Sequence, residues 1–290
     1  MKEFVTYCGR RLPRTEITPE ILERVKREEL EILKVVRDFC LKNDIEILLA
    51  YGTLLGAVRH EGFIPWDDDI DVYMTREDYN RFISLWQKSH PAGYLLQNKD
   101  TDRDYTQVHT KIRKDNTTFL QQGEENYLYH KGIFIDIFPL DRIPGGFRRK
   151  VYKMAAMVYL LYMRGFIPPE ANRIVRLGSR VILGLTPKKL YYPILKRIEK
   201  YITGFSSDEM DMACVVSING MNNSIPAEVF SKHCELKFED DVFFAPKDYD
   251  KYLTIFYGDY MELPPEEERV WKHRPLLIDL ERNIEDIDYE

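Results

Sequence analysis

The chain has 290 residues, 44% of them apolar, enough for one large domain or two modest ones around a sizeable core. Its net charge of −6 gives no global reason to expect a nucleic-acid partner. Cys8, Cys40, Cys214 and Cys234 have neither metal-ligand nor disulfide-framework spacing. The N-terminus lacks a signal core and no run approaches the ~20 apolar residues that span a bilayer, so a reduced, cytoplasmic protein is expected.

Thr18-Pro19 reads as a helix start, Thr capping and Pro at the first helical position. Ile21, Leu22, Val25, Leu30, Leu33, Val36 and Cys40 then recur at helical spacing, predicting one amphipathic helix over 19–41 that ends at Asn43-Asp44. A short buried strand is expected over 45–50, a turn at Tyr51-Gly52-Thr53, a short helix over 54–59 and a loop over 60–66. Alternation over 69–74 predicts a strand with Asp69, Asp71 and Tyr73 on one side. A helix over 76–88 follows, and then strands over 107–113 and 132–138.

Residues 142–202 change character and read as helical, interrupted at Pro168-Pro169, Gly184 and Pro187. Residues 142–200 hold 14 Lys/Arg against Glu170 and Glu199, a net of +12 that leaves −18 for the rest. Three readings of this block stand: interfacial helices on an anionic membrane, a basic face for an anionic polymer, or packed helices with a solvated basic side. Beyond it, 214–218 and 238–244 look strand-like and 246–256 a short helix. The acidic end, 279–290, is expected to be frayed or solvated.

The chemistry concentrates in Asp67-Asp68-Asp69-Ile70-Asp71. Residues two apart on a strand share a face, so Asp69 and Asp71 present two carboxylates a few ångströms apart. Their repulsion is relieved by a cation between them. Oxygen-only ligands select hard ions, so Mg²⁺ or Mn²⁺ is expected, completed by a substrate phosphate. Asp67 and Asp68 are expected beside the ligands or facing solvent. Asp136 lies in the apolar run 132–138, where a lone carboxylate is costly unless paired or metal-bound. It is expected to be a third ligand or a general base.

With these residues placed, the sequence resembles the LicD family. The resemblance runs through Tyr51-Gly52-Thr53-Leu54-Leu55-Gly56-Ala57-Val58-Arg59-His60-Glu61-Gly62-Phe63-Ile64-Pro65-Trp66-Asp67-Asp68-Asp69-Ile70-Asp71-Val72. Weaker echoes lie at 111–119, at 132–141, and at Tyr257-Gly258-Asp259-Tyr260-Met261 with Pro264-Pro265 and His273. It implies an α+β fold: a polymerase-β-like nucleotidyltransferase core, a mixed sheet with flanking helices, plus a basic helical subdomain. The expected division is a catalytic core over 1–141, a helical insertion over 142–205 and a completing α/β part over 206–290.

The resemblance further implies transfer of a phospho-alcohol, phosphocholine foremost, from a CDP-alcohol to a sugar hydroxyl of a cell-surface glycan precursor, releasing CMP. Teichoic acid, lipopolysaccharide and capsule are the acceptors of that family. The relatives fukutin and fukutin-related protein use CDP-ribitol, so ribitol or glycerol donors are the alternatives, as is a nucleotidylyltransferase acting on an NTP. Metal-dependent glycosyltransferases and a non-catalytic nucleotide-binding module are more remote readings. On this view Asp69, Asp71 and Asp136 hold the metal and carry catalysis. Gly52 lets the backbone approach a phosphate and Thr53 donates to it. Lys111 and Arg113, two apart on one strand, grip the diphosphate unless they form an exposed basic edge. Arg59, His60 and His273 are further substrate contacts. Trp66 is either a choline-cage wall or a core anchor. A lipid-linked acceptor would bring the enzyme to the inner face of the membrane.

Overall fold

The computed structural model describes residues 4–102, 104–165, 167, 173–206, 211–214, 223–271 and 273–288. A hairpin, β1 (Phe4–Tyr7) and β2 (Arg10–Pro13), precedes helix α1 (Pro19–Lys42). Thr18 caps α1, its hydroxyl accepting the Ile21 N–H at 3.3 Å. The apolar stripe of α1 lies across the central sheet, and Val25, Ile32 and Val36 are fully buried in the main core.

That sheet is mixed, in the order β3 (Leu48–Leu49), β4 (Asp71–Thr75), β8 (Phe134–Ile143), β6 (Thr110–Lys114), β5 (Tyr94–Gln97). Strand β9 (Asp211–Ala213) pairs with the far end of β8. Among the described residues β4 and β8 are the only neighbouring strands of this sheet that pair in parallel. Helix α2 (Tyr51–His60) packs on β4, and α3 (Arg76–Ser89) packs on β4, β5 and β8.

Strand β8 outruns the sequence expectation, continuing through Pro139 to Ile143. On one side its register partners are β6 for 134–137 and β9 for 141–143, so Pro139 falls in the gap where no ladder donor is needed. Conversely, the strand expected over 45–50 shrinks to Leu48–Leu49, because β4 offers partners only at Tyr73 and Val72.

Helices α4 (Gly146–Arg164), α5 (Arg173–Leu185) and α6 (Tyr191–Ile202) occupy the basic block. The expected break at Gly184 does not occur, since it lies inside α5. Pro168-Pro169 lies outside the described residues. Tyr152, Tyr159 and Leu160 of α4 pack with Leu195 and Ile202 of α6 over Ile143 and Ala213, a second core. Among the described residues no helix is long and apolar enough to cross a membrane.

The hairpin β10 (His233–Phe238) and β11 (Asp241–Pro246) packs on α2 and β3, and α7 (Tyr249–Tyr257) packs on α2. The strand-like stretch 214–218 falls outside the described residues beyond Cys214. Strands β7 (Thr118–Gln121) and β12 (Pro275–Asp279) pair, with one irregularity in register, and build a third core with the N-terminal hairpin. The acidic end is solvated only in part: most of its described acids are exposed as expected, but Ile284 and Ile287 tie it into that third core. Their apolar side chains outweigh the charged neighbours, which stay on the surface.

Candidate active site

Strand β4 begins on Asp71, whose parallel register partner on β8 is Asp136. Asp136 in turn faces Lys111 of β6. Three adjacent strands thus carry carboxylate, carboxylate and ammonium abreast on one sheet face. Asp69 precedes the strand proper, but the backbone there is already held: Ile70 C=O accepts the Asp136 N–H at 2.9 Å, and Thr53 Oγ1 accepts the Asp71 N–H at 2.8 Å. Upstream, Ile64-Pro65-Trp66-Asp67 closes a turn, Asp67 N–H donating to Ile64 C=O at 2.9 Å with proline where such a turn favours it.

Asp67 and Asp68 do not face solvent; both are buried, Asp68 at 1% exposure. The Asp67 carboxylate sits against Gly52, where any Cβ would collide with it. The expectation that Gly52 admits a phosphate therefore changes. At the start of α2 the helix dipole already faces this side chain. Thr53 is also buried, its hydroxyl oxygen engaged by Asp71. Tyr51 enters α2 at φ +40°, a strained value for a side chain of its size. Ring packing on Tyr73, Phe138 and Phe256 at 5.0–5.4 Å holds it there, as does its N–H donated to Tyr252 Oη at 3.1 Å.

His273 joins the cluster from the segment before β12, its Nδ1 3.2 Å from Asp68 Oδ1 and 3.9 Å from Asp69 Oδ2. Among the described residues Asp68, Asp69 and His273 offer ligand atoms within 4.8 Å of one another. Asp68 Oδ2 and Glu29 Oε2 are buried without a hydrogen-bond partner. Burial, reinforced by Asp67, pushes Asp69 up to about 7. Burial, then Asp69 and Asp136, holds Asp71 well above the carboxylate range. His273 is raised as well, but toward its charged form: burial disfavours the cation, and the bond to Asp68 and the charge of Asp69 outweigh that. Such a surplus of buried, mutually repelling oxygens with unpartnered lone pairs fits a hard divalent cation.

Asp136 differs from its neighbours. Burial alone would raise it, yet His109 Nε2 at 3.3 Å and Lys111 Nζ at 2.6 Å hold it far below the usual range. It stays ionised, which favours holding charge over accepting a proton.

Lys111 and Arg113 do share a face, both over the Phe134 ring, but neither lies on an exposed edge. Strand β6 sits between β5 and β8. Arg113 is fully buried and donates to Gln97 Oε1 and Gly132 C=O, so its guanidinium is spent inside the core rather than on a diphosphate. Lys111 is committed to Asp136.

At the rim, Arg59 donates to the Tyr260 and Glu262 carbonyls and to His60, which contacts Trp66 edge-on. Trp66 is half-buried, and the Arg269 guanidinium lies 5.3 Å from its ring centroid. The indole face therefore accepts a cation here rather than serving only as a core anchor.

Two buried groups escaped the sequence reading. Glu29 of α1 is feeling burial first and then Asp69, Asp68 and Asp67, which raise its pKa well above the ordinary value. The signal was its place on the apolar stripe, four residues after Val25 and four before Leu33. His109 is two residues before Lys111, the same parity that singled out Lys111 and Arg113.

A profile described as "LicD/FKTN/FKRP, nucleotidyltransferase domain" matches residues 44–162. The chain is 30% identical over 254 residues to the lipopolysaccharide cholinephosphotransferase LicD of Haemophilus influenzae, covering 84% of this chain and 92% of that protein. It is 27% identical over 180 residues to an uncharacterized protein of Rickettsia prowazekii, covering 59% of this chain and 62% of that one.

Proposed function

The chain belongs to the LicD family, and from that premise we propose that it is a divalent-metal-dependent phosphocholine transferase on a nucleotidyltransferase-type core. Its donor is CDP-choline, its acceptor a sugar hydroxyl of a lipopolysaccharide-type glycan precursor, and its by-product CMP. The observation that carries this reading is the row Asp71, Asp136 and Lys111 across three strands, with Asp68, Asp69 and His273 gathered beside it.

Asp69, Asp71 and Asp136 would hold the metal, flanked by Asp68 and His273, whose ligand atoms lie within 4.8 Å of that of Asp69. Mg²⁺ or Mn²⁺ bound there would neutralise charge on the transferring phosphoryl group and on the departing nucleotide phosphate. Lys111 keeps Asp136 ionised and would add positive charge beside a bound phosphoryl group. His273, with its raised pKa, steadies Asp68 and Asp69. Phosphoryl transfer asks the protein mainly for positioning and charge, and these fixed strand positions supply both. Trp66 takes the trimethylammonium end, replacing Arg269 on its ring.

The test is incubation with Mg²⁺, a choline-free lipopolysaccharide acceptor and, separately, CDP-choline, CDP-ribitol, CDP-glycerol and CDP-ethanolamine, following CMP. CMP from CDP-choline supports the proposal. Release from CDP-ribitol alone would reassign the donor, and release from none with Mg²⁺ or Mn²⁺ would end the transferase reading.

A further inference from the structure

The helical block leaves hydrocarbon in water in an ordered way. On α5, Ile174, Leu177, Val181 and Leu185 are 84, 63, 50 and 79% exposed. Their spacing of i, i+3, i+7 and i+11 makes one stripe along the helix. The buried residue of α5, Ser179, lies roughly 150° round the helix from that stripe at 3.6 residues per turn. Arg173, Arg176 and Arg180, at i, i+3 and i+7 and all exposed, form a second row along the flank of the stripe. Helix α4 repeats the theme with exposed Phe147, Val151 and Met154. Neither helix contains an Asp or Glu.

We propose that this face docks the protein, without spanning, on the surface of an anionic lipid bilayer. The apolar stripe would enter the acyl boundary and the arginine row would meet the lipid phosphates. The charge distribution selects this occupant. A second copy would set a +12 segment against its own like, whereas an anionic leaflet attracts it and repels the −18 remainder, so only this side approaches. A nucleic-acid backbone would engage the arginines but has no use for the stripe beside them. Docking does not depend on the donor, so it stands or falls separately from the transferase reading.

The test is co-sedimentation of the full chain with phosphatidylcholine vesicles, alone or mixed with phosphatidylglycerol, at physiological salt. The wild type pellets with the anionic vesicles and stays in solution with the neutral ones. Leu177→Glu with Leu185→Glu lowers partitioning roughly tenfold or more, since both changes oppose apolar insertion. Arg173→Gln with Arg180→Gln lowers it roughly fivefold per arginine. Both double variants keep wild-type CMP release on a soluble acceptor and a wild-type circular dichroism spectrum. Absence of the wild type from the anionic pellet overturns the proposal, as does equal binding by the leucine variant. A wild-type dimer that the leucine variant dissociates, without vesicle binding, overturns it too and assigns the face to a second copy.

Discussion

The central sheet and the helical block break the same rule in opposite directions. Around β4 and β8, carboxylates lie where water is scarce; on α4 and α5, hydrocarbon lies where water is abundant. The buried carboxylates are offset only in part, by Lys111 and His109 on Asp136 and His273 on Asp68, and the exposed stripe forgoes the gain of burial. The sheet can tolerate its burden because strand register, the Thr53 hydroxyl and the α1 core fix every carboxylate in place. Among the described residues nothing comparable braces the outer stripe of α5. The difference teaches where each region waits for a partner: a compact cation in one, an extended surface in the other.

The contrast breaks most sharply at the metal site. Asp69→Ala and Asp71→Ala should each lower CMP release by roughly 10²–10³-fold, the scale of losing a group that stabilises transition-state charge. Wild-type rates in both would remove these residues from catalysis. Next in size, Asp141→Ala should cost about 3 kcal/mol in denaturant unfolding. It strips Arg76 of a buried two-pronged partner, both bonds at 2.7 Å. Mg²⁺ at about 100 times its Kd should stabilise the protein by about 2.7 kcal/mol, a rise in Tm of several degrees. Asp69→Asn with Asp71→Asn should abolish that rise, whereas a metal-independent Tm would count against the site.

A smaller effect comes from acid. Burial first of all lowers the pKa of His109 and of His130 below 6.5, so unfolding takes up protons as pH falls past that value. Their stability contribution is present above 6.5 and lost below it, by up to about 1.4 kcal/mol per pH unit for each ring. His273, shifted upward, works in the opposite sense. His130→Gln should flatten the fall in Tm between pH 7 and pH 5 in chelator, and an unchanged slope would exclude that ring as a cause. Smallest of all, Leu177→Glu should move stability by less than about 0.5 kcal/mol, as surface changes do. A core-sized loss there would mean that the stripe is packed rather than waiting.

Much of the site was legible residue by residue. The Asp-rich run, the lone Asp136 in an apolar strand and the shared parity of Lys111 and Arg113 are one-dimensional patterns, and strand geometry translates them directly. Direction of use was not legible. Arg113 donates inward to Gln97 and the Gly132 carbonyl, and Asp67 lies against Gly52, where a phosphate was expected. His273 reached the cluster over more than two hundred residues of chain, which no spacing argument can measure. The strands missed outright, β1, β2, β5, β7, β9 and β12, are short and paired over long sequence separations or in small hairpins.

The sequence alone determined which side chains of this protein can do chemistry and the local period that sets them on one face, because periodicity and side-chain type are properties of neighbours along the chain. Only the tertiary structure decided which carboxylate is held ionised by Lys111, which are pushed toward protonation, and which arginine is spent on the core. Those outcomes depend on burial and on charges brought together across strands, and Coulomb energies in a buried site are set by distance in space rather than in sequence.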